Sequence, residues 1–206
     1  MKGETIVEAC YVFKEETILT VLKTSIFFSG DGFSAYDSKG ELVFRVDWYG
    51  ADTDNTEVVL MDATGRCLLT VCRKRPSLHH RWEGFLGERS EGQKPIFSVS
   101  RSAIIERCNV TVEMYNTLGE EYHIEGSLAQ RCCKIFDANN ETMAEIRRKV
   151  DALSNVMLGK DVLSLNVKPG FDGAFAMALV IILDQIDGYD YLDNSPYNNI
   201  ISYKSI

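Results

Sequence analysis

A short basic stretch contains the residues whose types and spacing could do chemistry. Four cations fall within nine residues, and two titratable histidines lie among them. The six residues are Arg73, Lys74, Arg75, His79, His80 and Arg81. Guanidinium groups bind phosphate through paired hydrogen bonds, and histidine adds positive charge at lower pH. The stretch therefore predicts a site for an anionic group, with a charged, solvated turn between two strands as the alternative interpretation.

The sequence contains no recognisable catalytic motif. A catalytic histidine needs a nucleophile and an orienting group, and no spacing around His79 or His80 supplies them. GxSxG, HExxH, the phosphate-binding lysine loop and the kinase motifs are absent from the sequence. The acids from Asp52 to Glu57 do not form an EF-hand, because Glu57 stands where that loop needs glycine. We therefore expect a protein without enzymatic activity, metal or cofactor.

The six cysteines favour reduced thiols over disulfides or a zinc site. They form no CxxC pair, and the three histidines do not fall at zinc-ligand spacing. Residues 1–20 include four glutamates and no continuous apolar run, so a signal peptide is not expected. We expect a cytoplasmic protein, peripheral at membranes or nuclear, and not a secreted one.

The overall charge argues against bulk attraction to polyanions. The chain has 206 residues, of which 22 are Lys or Arg and 30 are Asp or Glu, and its net charge is −8. Nucleic acids and anionic membranes both attract basic faces. No specific nucleic-acid site is therefore predicted. Only a local patch could bind an anion, with Arg147 to Lys149 as a second basic cluster.

Short apolar or alternating runs recur roughly every ten to twelve residues, which predicts an all-β protein. In one of them Leu42, Phe44, Val46 and Trp48 share a face. The predicted strands are 17–23, 33–37, 42–48, 57–61, 67–73, 82–86, 96–100, 110–114, 122–126, 132–136, 143–150 and 162–167. Segment 143–150 also contains good helix formers. Turn residues between the strands favour antiparallel pairing, and about twelve strands can close into a barrel.

One segment breaks this rhythm and predicts a central helix over about 172–186. No polar side chain occurs from Gly173 to Leu183, so such a helix is apolar on every side and must be enclosed. Asp172 offers an N-cap and Gly188 an end. Even Phe171 to Ile186 would rise only roughly 24 Å as a helix, which is shorter than a bilayer core, so no transmembrane span is expected. The residues expected to fill the barrel are Phe175, Met177, Leu179, Val180, Ile181, Ile182 and Leu183.

Ordered motifs are spread over most of residues 5–187: Gly30-Asp-Gly-Phe, Tyr36 to Asp47, Leu60 to Arg66, Trp82, Gly126-Ser127, Ala144-Glu-Ile, Gly159-Lys-Asp-Val and Asp172 to Gln185. Together they resemble the motifs of the plant LURP-one-related family. The resemblance implies a tubby-like fold, a closed antiparallel β-barrel of about twelve strands around a hydrophobic C-terminal α-helix. This architecture is also proposed for tubby proteins and phospholipid scramblases. It agrees with the architecture expected from the residues alone.

The resemblance also implies a function class. The family is associated with plant defence and has no established reaction, and tubby relatives bind phosphoinositides at membranes. A non-enzymatic binding module for an anionic lipid head group or a protein partner is therefore expected. The alternative is a scramblase-like membrane protein that inserts its C-terminal helix. We expect one domain over residues 1–190 and a polar, flexible tail over 191–206.

Overall fold

A computed structural model describes residues 5–24, 32–49, 57–74, 81–101, 110–115, 120–127, 130–151 and 153–193. A short 3-10 turn, Ala9–Tyr11, precedes the first strand. The strands are β1 (Thr17–Leu22), β2 (Gly32–Tyr36), β3 (Leu42–Tyr49), β4 (Glu57–Asp62), β5 (Cys67–Arg73), β6 (Trp82–Leu86), β7 (Phe97–Arg101), β8 (Val110–Met114), β9 (Glu121–Ser127), β10 (Cys132–Phe136), β11 (Thr142–Arg148) and β12 (Val162–Val167). Helix α1 (Gly173–Asp193) follows.

The twelve strands form one closed antiparallel barrel. Each strand pairs with the strands before and after it in the chain, and β1 pairs with β12 to complete the ring. Closure removes the sheet edges, which would otherwise present unpaired backbone groups. The predicted fold class, a closed antiparallel barrel of about twelve strands with a hydrophobic C-terminal helix, is confirmed.

The segment with an ambiguous pattern, predicted as strand 143–150, is strand β11. Ala144 and Ile146 are buried, whereas Arg147 is exposed and forms an ion pair with Glu145, 2.6 Å between Nη2 and Oε1. This is the period of two that a strand with one buried face requires. Backbone pairing with β10 and β12 on either side outweighs the helix propensity of these residues.

Helix α1 lies inside the barrel and its first half is buried on every side. Phe175 packs edge-to-face against Phe97 of β7, with 5.0 Å between the ring centroids. Gly84 on β6 leaves the space that the Phe97 ring occupies, since a Cβ atom there would lie 2.2 Å from that ring. The buried helix residues include Phe175, Met177, Leu179, Val180, Ile181, Ile182 and Leu183. Among the described residues, no helix has both the length and the hydropathy needed to span a bilayer.

Helix α1 runs farther than the sequence predicts. The expected end was near Ile186, with Gly188 as a stop, but the helix continues to Asp193. A glycine costs about 1 kcal/mol relative to alanine inside a helix, yet it retains the backbone hydrogen bonds. The expected boundary between domain and tail at residue 190 therefore falls within the helix. Residues 194–206 lie outside the described residues.

Asp172 connects the start of α1 to the N-terminal segment of the chain. Its side chain is fully buried. One oxygen, Oδ1, accepts hydrogen bonds from the backbone N–H groups of Ala174 at 2.9 Å and Phe175 at 3.2 Å, which is the N-cap that the sequence predicts. The other oxygen, Oδ2, accepts three more from the backbone of residues 6–8, at 2.7 to 3.1 Å. One carboxylate thus satisfies donors from both ends of the chain.

A second buried carboxylate holds the same N-terminal segment to the β4–β5 turn. The Arg66 guanidinium joins Asp62, 3.0 Å from Nε to Oδ2, to Glu8, 2.9 Å from Nη1 to Oε2. Burial raises the pKa of Asp62, but hydrogen bonds from Thr64 and Arg66 outweigh that effect and bring the pKa to about 2. The carboxylate therefore stays charged at any physiological pH.

Replacement of Asp172 by asparagine tests the anchor. Asp172→Asn turns one oxygen into an amide that faces backbone N–H donors, so we expect a loss of about 3 kcal/mol or more in the free energy of unfolding, measured in urea. Asp137→Asn is the matched control, because Asp137 accepts backbone N–H groups from Asn139 and Glu141 in an exposed turn. Equal, small effects of the two substitutions would contradict an anchoring role for Asp172.

Candidate functional site

The loops that could bind a ligand are divided between two ends of the barrel. We call the end where β1, β3, β5, β7, β9 and β11 finish the exit end, because α1 approaches it and Asp184 contacts Lys23 there. The opposite end, where Asp172 starts the helix, is the cap end. The basic stretch of the sequence lies at the exit end, in the connection between β5 and β6.

The structure places three residues of the basic stretch at the neck of the β5–β6 hairpin. Arg73 is the last residue of β5 and pairs with Trp82 of β6. Lys74 follows, and its backbone N–H donates to the carbonyl of Arg81 at 2.8 Å. These three cations are therefore brought together. Arg75, His79 and His80 lie outside the described residues.

Two of these cations turn towards acids on the outer wall of the barrel. Lys74 Nζ lies 2.7 Å from Glu83 Oε1 on β6, and this hydrogen bond raises the pKa of Lys74. Arg81 Nη2 lies 2.8 Å from Glu113 Oε2 on β8, which also accepts a hydrogen bond from Ser98. Lys74 and Glu113 are exposed, whereas Glu83 is largely buried and Arg81 is partly buried. Ion pairs at a protein surface contribute at most about 1 kcal/mol. Any anion that binds at the hairpin neck must compete with these glutamates.

The second basic cluster lies at the same end of the barrel but on the opposite wall. Arg147 and Arg148 end strand β11, which is separated from β6 by four strands. Nη2 of Arg148 donates to the carbonyl of Leu158 at 3.0 Å, and Nζ of Lys149 donates to Thr20 Oγ1. The barrel therefore does not join the two basic clusters into one patch.

A buried charge cluster lies at the exit end, and no pattern in the sequence predicts it. Asp184 of α1, with a side chain only 5% exposed, contacts Lys23 Nζ at 3.0 Å and Arg131 Nη1 at 2.5 Å. From the sequence, with the helix expected to end near Ile186, this aspartate stands at the unfavourable end of the helix dipole. In the structure the helix continues to Asp193, so Asp184 lies about two and a half turns before that end. The two cations, each from a strand end beside the helix, compensate its buried charge. Lys23 and Arg131 lie 161 and 53 residues from Asp184 in the chain, so no local sequence pattern indicates these contacts.

A small cavity lies next to this charge cluster. Its volume is about 20 Å³, which holds one water molecule and no organic ligand. Its walls are formed by Arg131, Cys133, Ile146, Leu163, Val180, Leu183 and Asp184. The helix therefore leaves little free volume at this point of the barrel.

Three of the described cysteines have thiols of raised pKa, and the described side chains form no group that could bind a metal ion. Burial raises the pKa of the Cys72 thiol to about 11, and burial also raises the pKa of Cys67 and of Cys10. A thiol with such a pKa is protonated at neutral pH and is a poor nucleophile. Within the described ranges, no three His, Cys, Asp or Glu side chains come together in a way that could hold a metal ion.

Comparison with known proteins gives a consistent result over almost the whole chain. The family model described as LURP-one-related matches residues 17–184. Protein LURP-one-related 12 of Arabidopsis thaliana is 65% identical over 191 residues, which are 92% of this chain and 87% of that protein. Protein LURP-one-related 5 of the same plant is 64% identical over 197 residues, 94% of each chain.

A solved structure supports the fold independently of close sequence similarity. The X-ray structure of a protein from Arabidopsis thaliana superimposes with a TM-score of 0.68 and covers 90% of this chain and 99% of that one. The two sequences are 23% identical. At this identity the likeness concerns the fold alone.

Replacement of Asp184 by asparagine tests the buried charge cluster. Asp184→Asn leaves two cations beside a neutral amide, so we expect the free energy of unfolding to fall by about 3 kcal/mol in urea denaturation. Glu16→Gln is the matched control, because Glu16 also contacts two partners, Lys168 at 2.7 Å and Asn166 at 2.5 Å, but on the exposed surface. A loss for Asp184→Asn no larger than that of the control would refute the cluster's role in holding α1.

Proposed function

Because the chain belongs to the LURP-one-related family, we propose that it is a non-catalytic binding module that recognises an anionic lipid head group, such as a phosphoinositide, or a protein partner. A role in plant defence is part of the proposal, because the family that the sequence motifs resemble is associated with it. We propose that the protein resides in the cytoplasm and is recruited from there to a membrane surface or to the nucleus.

The observation that carries the proposal is that the barrel contains its own helix. Many closed barrels bind a small molecule inside, but here Phe175, Leu179 and Ile182 occupy that space without any exposed surface. A ligand of any size therefore has to bind the outer surface or the loops at the two ends. Surface recognition of a head group or a protein needs no internal cavity.

The hairpin neck at the exit end has the chemistry for an anionic ligand. The backbones of Arg73, Lys74 and Arg81 are neighbours there, and Arg75, His79 and His80 lie between Lys74 and Arg81 in the sequence. Each of the two glutamates that contact Lys74 and Arg81 offers a single charge. A phosphorylated head group carries more charge and accepts several hydrogen bonds from each guanidinium, so it can displace them.

Scramblase-like insertion of the C-terminal helix is the alternative suggested by the apolar segment. It would require α1 to leave the barrel, which would strip the core of side chains such as Phe175 and Ile181. It would also separate Asp172 from the backbone donors of residues 6–8. No feature of the described residues favours that movement, so we retain the surface-binding proposal.

Vesicle cosedimentation tests the lipid version of the proposal. Phosphatidylcholine vesicles with and without phosphatidylinositol bisphosphate are compared for the wild type and two variants. In the test variant four residues become glutamine: Arg73, Lys74, Arg75 and Arg81. In the control variant four cap-end lysines become glutamine: Lys14, Lys39, Lys94 and Lys168. Both variants lose the same charge, and thermal melting verifies that both remain folded.

We expect the wild type and the control to bind the bisphosphate vesicles. The test variant should bind about a hundredfold more weakly or worse, since each basic residue near an anionic surface contributes about 1 kcal/mol. Equal binding by the test and control variants would show that the β5–β6 hairpin does not bind the head group. Negligible binding by the wild type would exclude the head-group version, and proximity labelling of the same variants in plant cells would then test the protein-partner version.

A further inference from the structure

The connection between β11 and β12 exposes an unusual number of apolar side chains. Leu153 is 97% exposed, Val156 59% and Met157 54%, and Val150 is exposed beside them. Among the described residues these four account for more than half of the large exposed apolar side chains. Isolated exposed apolar residues are common, but a contiguous group indicates a binding surface. We call residues 149–151 and 153–160 the apolar loop.

The apolar loop is held in one shape by its own hydrogen bonds. Asp151 Oδ1 accepts from the backbone N–H groups of Leu153 at 3.1 Å and Ser154 at 2.7 Å, and from the Ser154 hydroxyl at 2.8 Å. The Asp151 N–H donates to the Val156 carbonyl at 2.9 Å. These hydrogen bonds hold the pKa of Asp151 below its usual range. The chain therefore builds a rigid turn and then places apolar side chains in water at its tip.

The fixed shape of the turn keeps its apolar side chains exposed and lowers the entropic cost of burying them against a ligand. A loop without internal bonds could fold its apolar side chains back onto the barrel. Here the backbone of residues 151 and 153–156 already makes its own hydrogen bonds, so burial of the tip by a ligand costs little further ordering. The tip also lies at the exit end, beyond the rim that β11 and β12 form.

The charges around the tip identify the kind of surface that it fits. Lys149 and the exposed Lys160 flank the apolar residues, and the exposed Asp161 follows Lys160. Arg147, which is paired with Glu145, and Arg148 stand at the end of β11. The acid inside the turn, Asp151, is already bonded to the turn itself. A projecting aliphatic tip with cations at its base matches the boundary between acyl chains and anionic head groups.

We propose that the apolar loop inserts Leu153, Val156 and Met157 into the interface of an anionic membrane, with Lys149 and Lys160 at the level of the head groups. The proposal does not rest on anion binding at the β5–β6 hairpin, which lies across the barrel. Both structures occupy the exit end, so one membrane plane can contact both. The loop contributes to membrane binding through burial of its apolar side chains, whereas the hairpin contributes through electrostatic attraction.

A loop variant and a matched control test this proposal in the full chain. The loop variant replaces three apolar side chains by glutamine: Leu153, Val156 and Met157. The control variant replaces three exposed apolar side chains elsewhere: Ile18, Leu86 and Tyr115. Binding is measured by cosedimentation with vesicles of phosphatidylcholine alone and of phosphatidylcholine mixed with phosphatidylserine. We expect the wild type and the control to bind the mixed vesicles, and the loop variant to bind about tenfold more weakly or worse.

Fluorescence shows directly whether the tip enters the membrane. In a Leu153→Trp variant the new indole should shift its emission to shorter wavelength when mixed vesicles are added, and an Ile18→Trp variant should show no shift. Unchanged emission at residue 153, or equal vesicle binding by the loop variant and the wild type, would overturn the proposal.

Two other outcomes would show that the tip binds a protein instead of a membrane, and each would also overturn the proposal. Concentration-dependent dimerisation that the loop variant abolishes would identify a second copy of this chain as the partner. Absence of vesicle binding together with a loop-dependent protein complex would identify a protein groove instead. Failure of the hairpin variant to lose bisphosphate binding bears only on the proposed function, because that variant retains the apolar loop.

Discussion

The buried carboxylate of Asp172 is the interaction on which the rest of the molecule depends. It receives five backbone N–H groups, two from the first turn of α1 and three from the segment that leads into β1. A fully buried charge is tolerated only when its hydrogen bonds are complete, and here backbone donors complete them. Because α1 is apolar on every side over its first half, it needs an enclosure, and the twelve-stranded ring supplies one.

Helix α1 is held at two points by different chemistry. Asp172, which caps its start, binds only backbone groups, whereas Asp184, inside the helix, binds the side chains of Lys23 and Arg131 at the exit end of the barrel. These contacts tie α1 to the N-terminal segment, to β1 and to β10. Since the interior is committed to the helix, recognition is left to the outside of the barrel. The exit end offers two different surfaces for it, the basic neck of the β5–β6 hairpin and the apolar loop after β11.

The sequence predicted the features that depend on local pattern. Alternation gave the strands, including β11, where Ala144 and Ile146 reveal the period of two despite their helix-forming neighbours. The all-apolar run and Asp172 gave the enclosed helix and its cap. The features that it missed depend on partners far away in the chain. The contacts of Asp184 with Lys23, and of Asp172 with residues 6–8, bring together groups more than 160 residues apart. The end of α1 was placed too early because Gly188 lowers helix propensity without forbidding a helix.

Hydrogen exchange of the full chain, read by mass spectrometry with and without phosphatidylserine and phosphatidylinositol bisphosphate vesicles, tests the central claim that α1 stays inside the barrel while the exit end recognises ligands. Peptides from Gly173 to Leu183 should be among the slowest to exchange, because their amides open only when the barrel unfolds. Vesicles should leave them unchanged and should protect only exit-end loops. Faster exchange of these helix peptides on addition of vesicles would show that the helix leaves the barrel and would contradict the account.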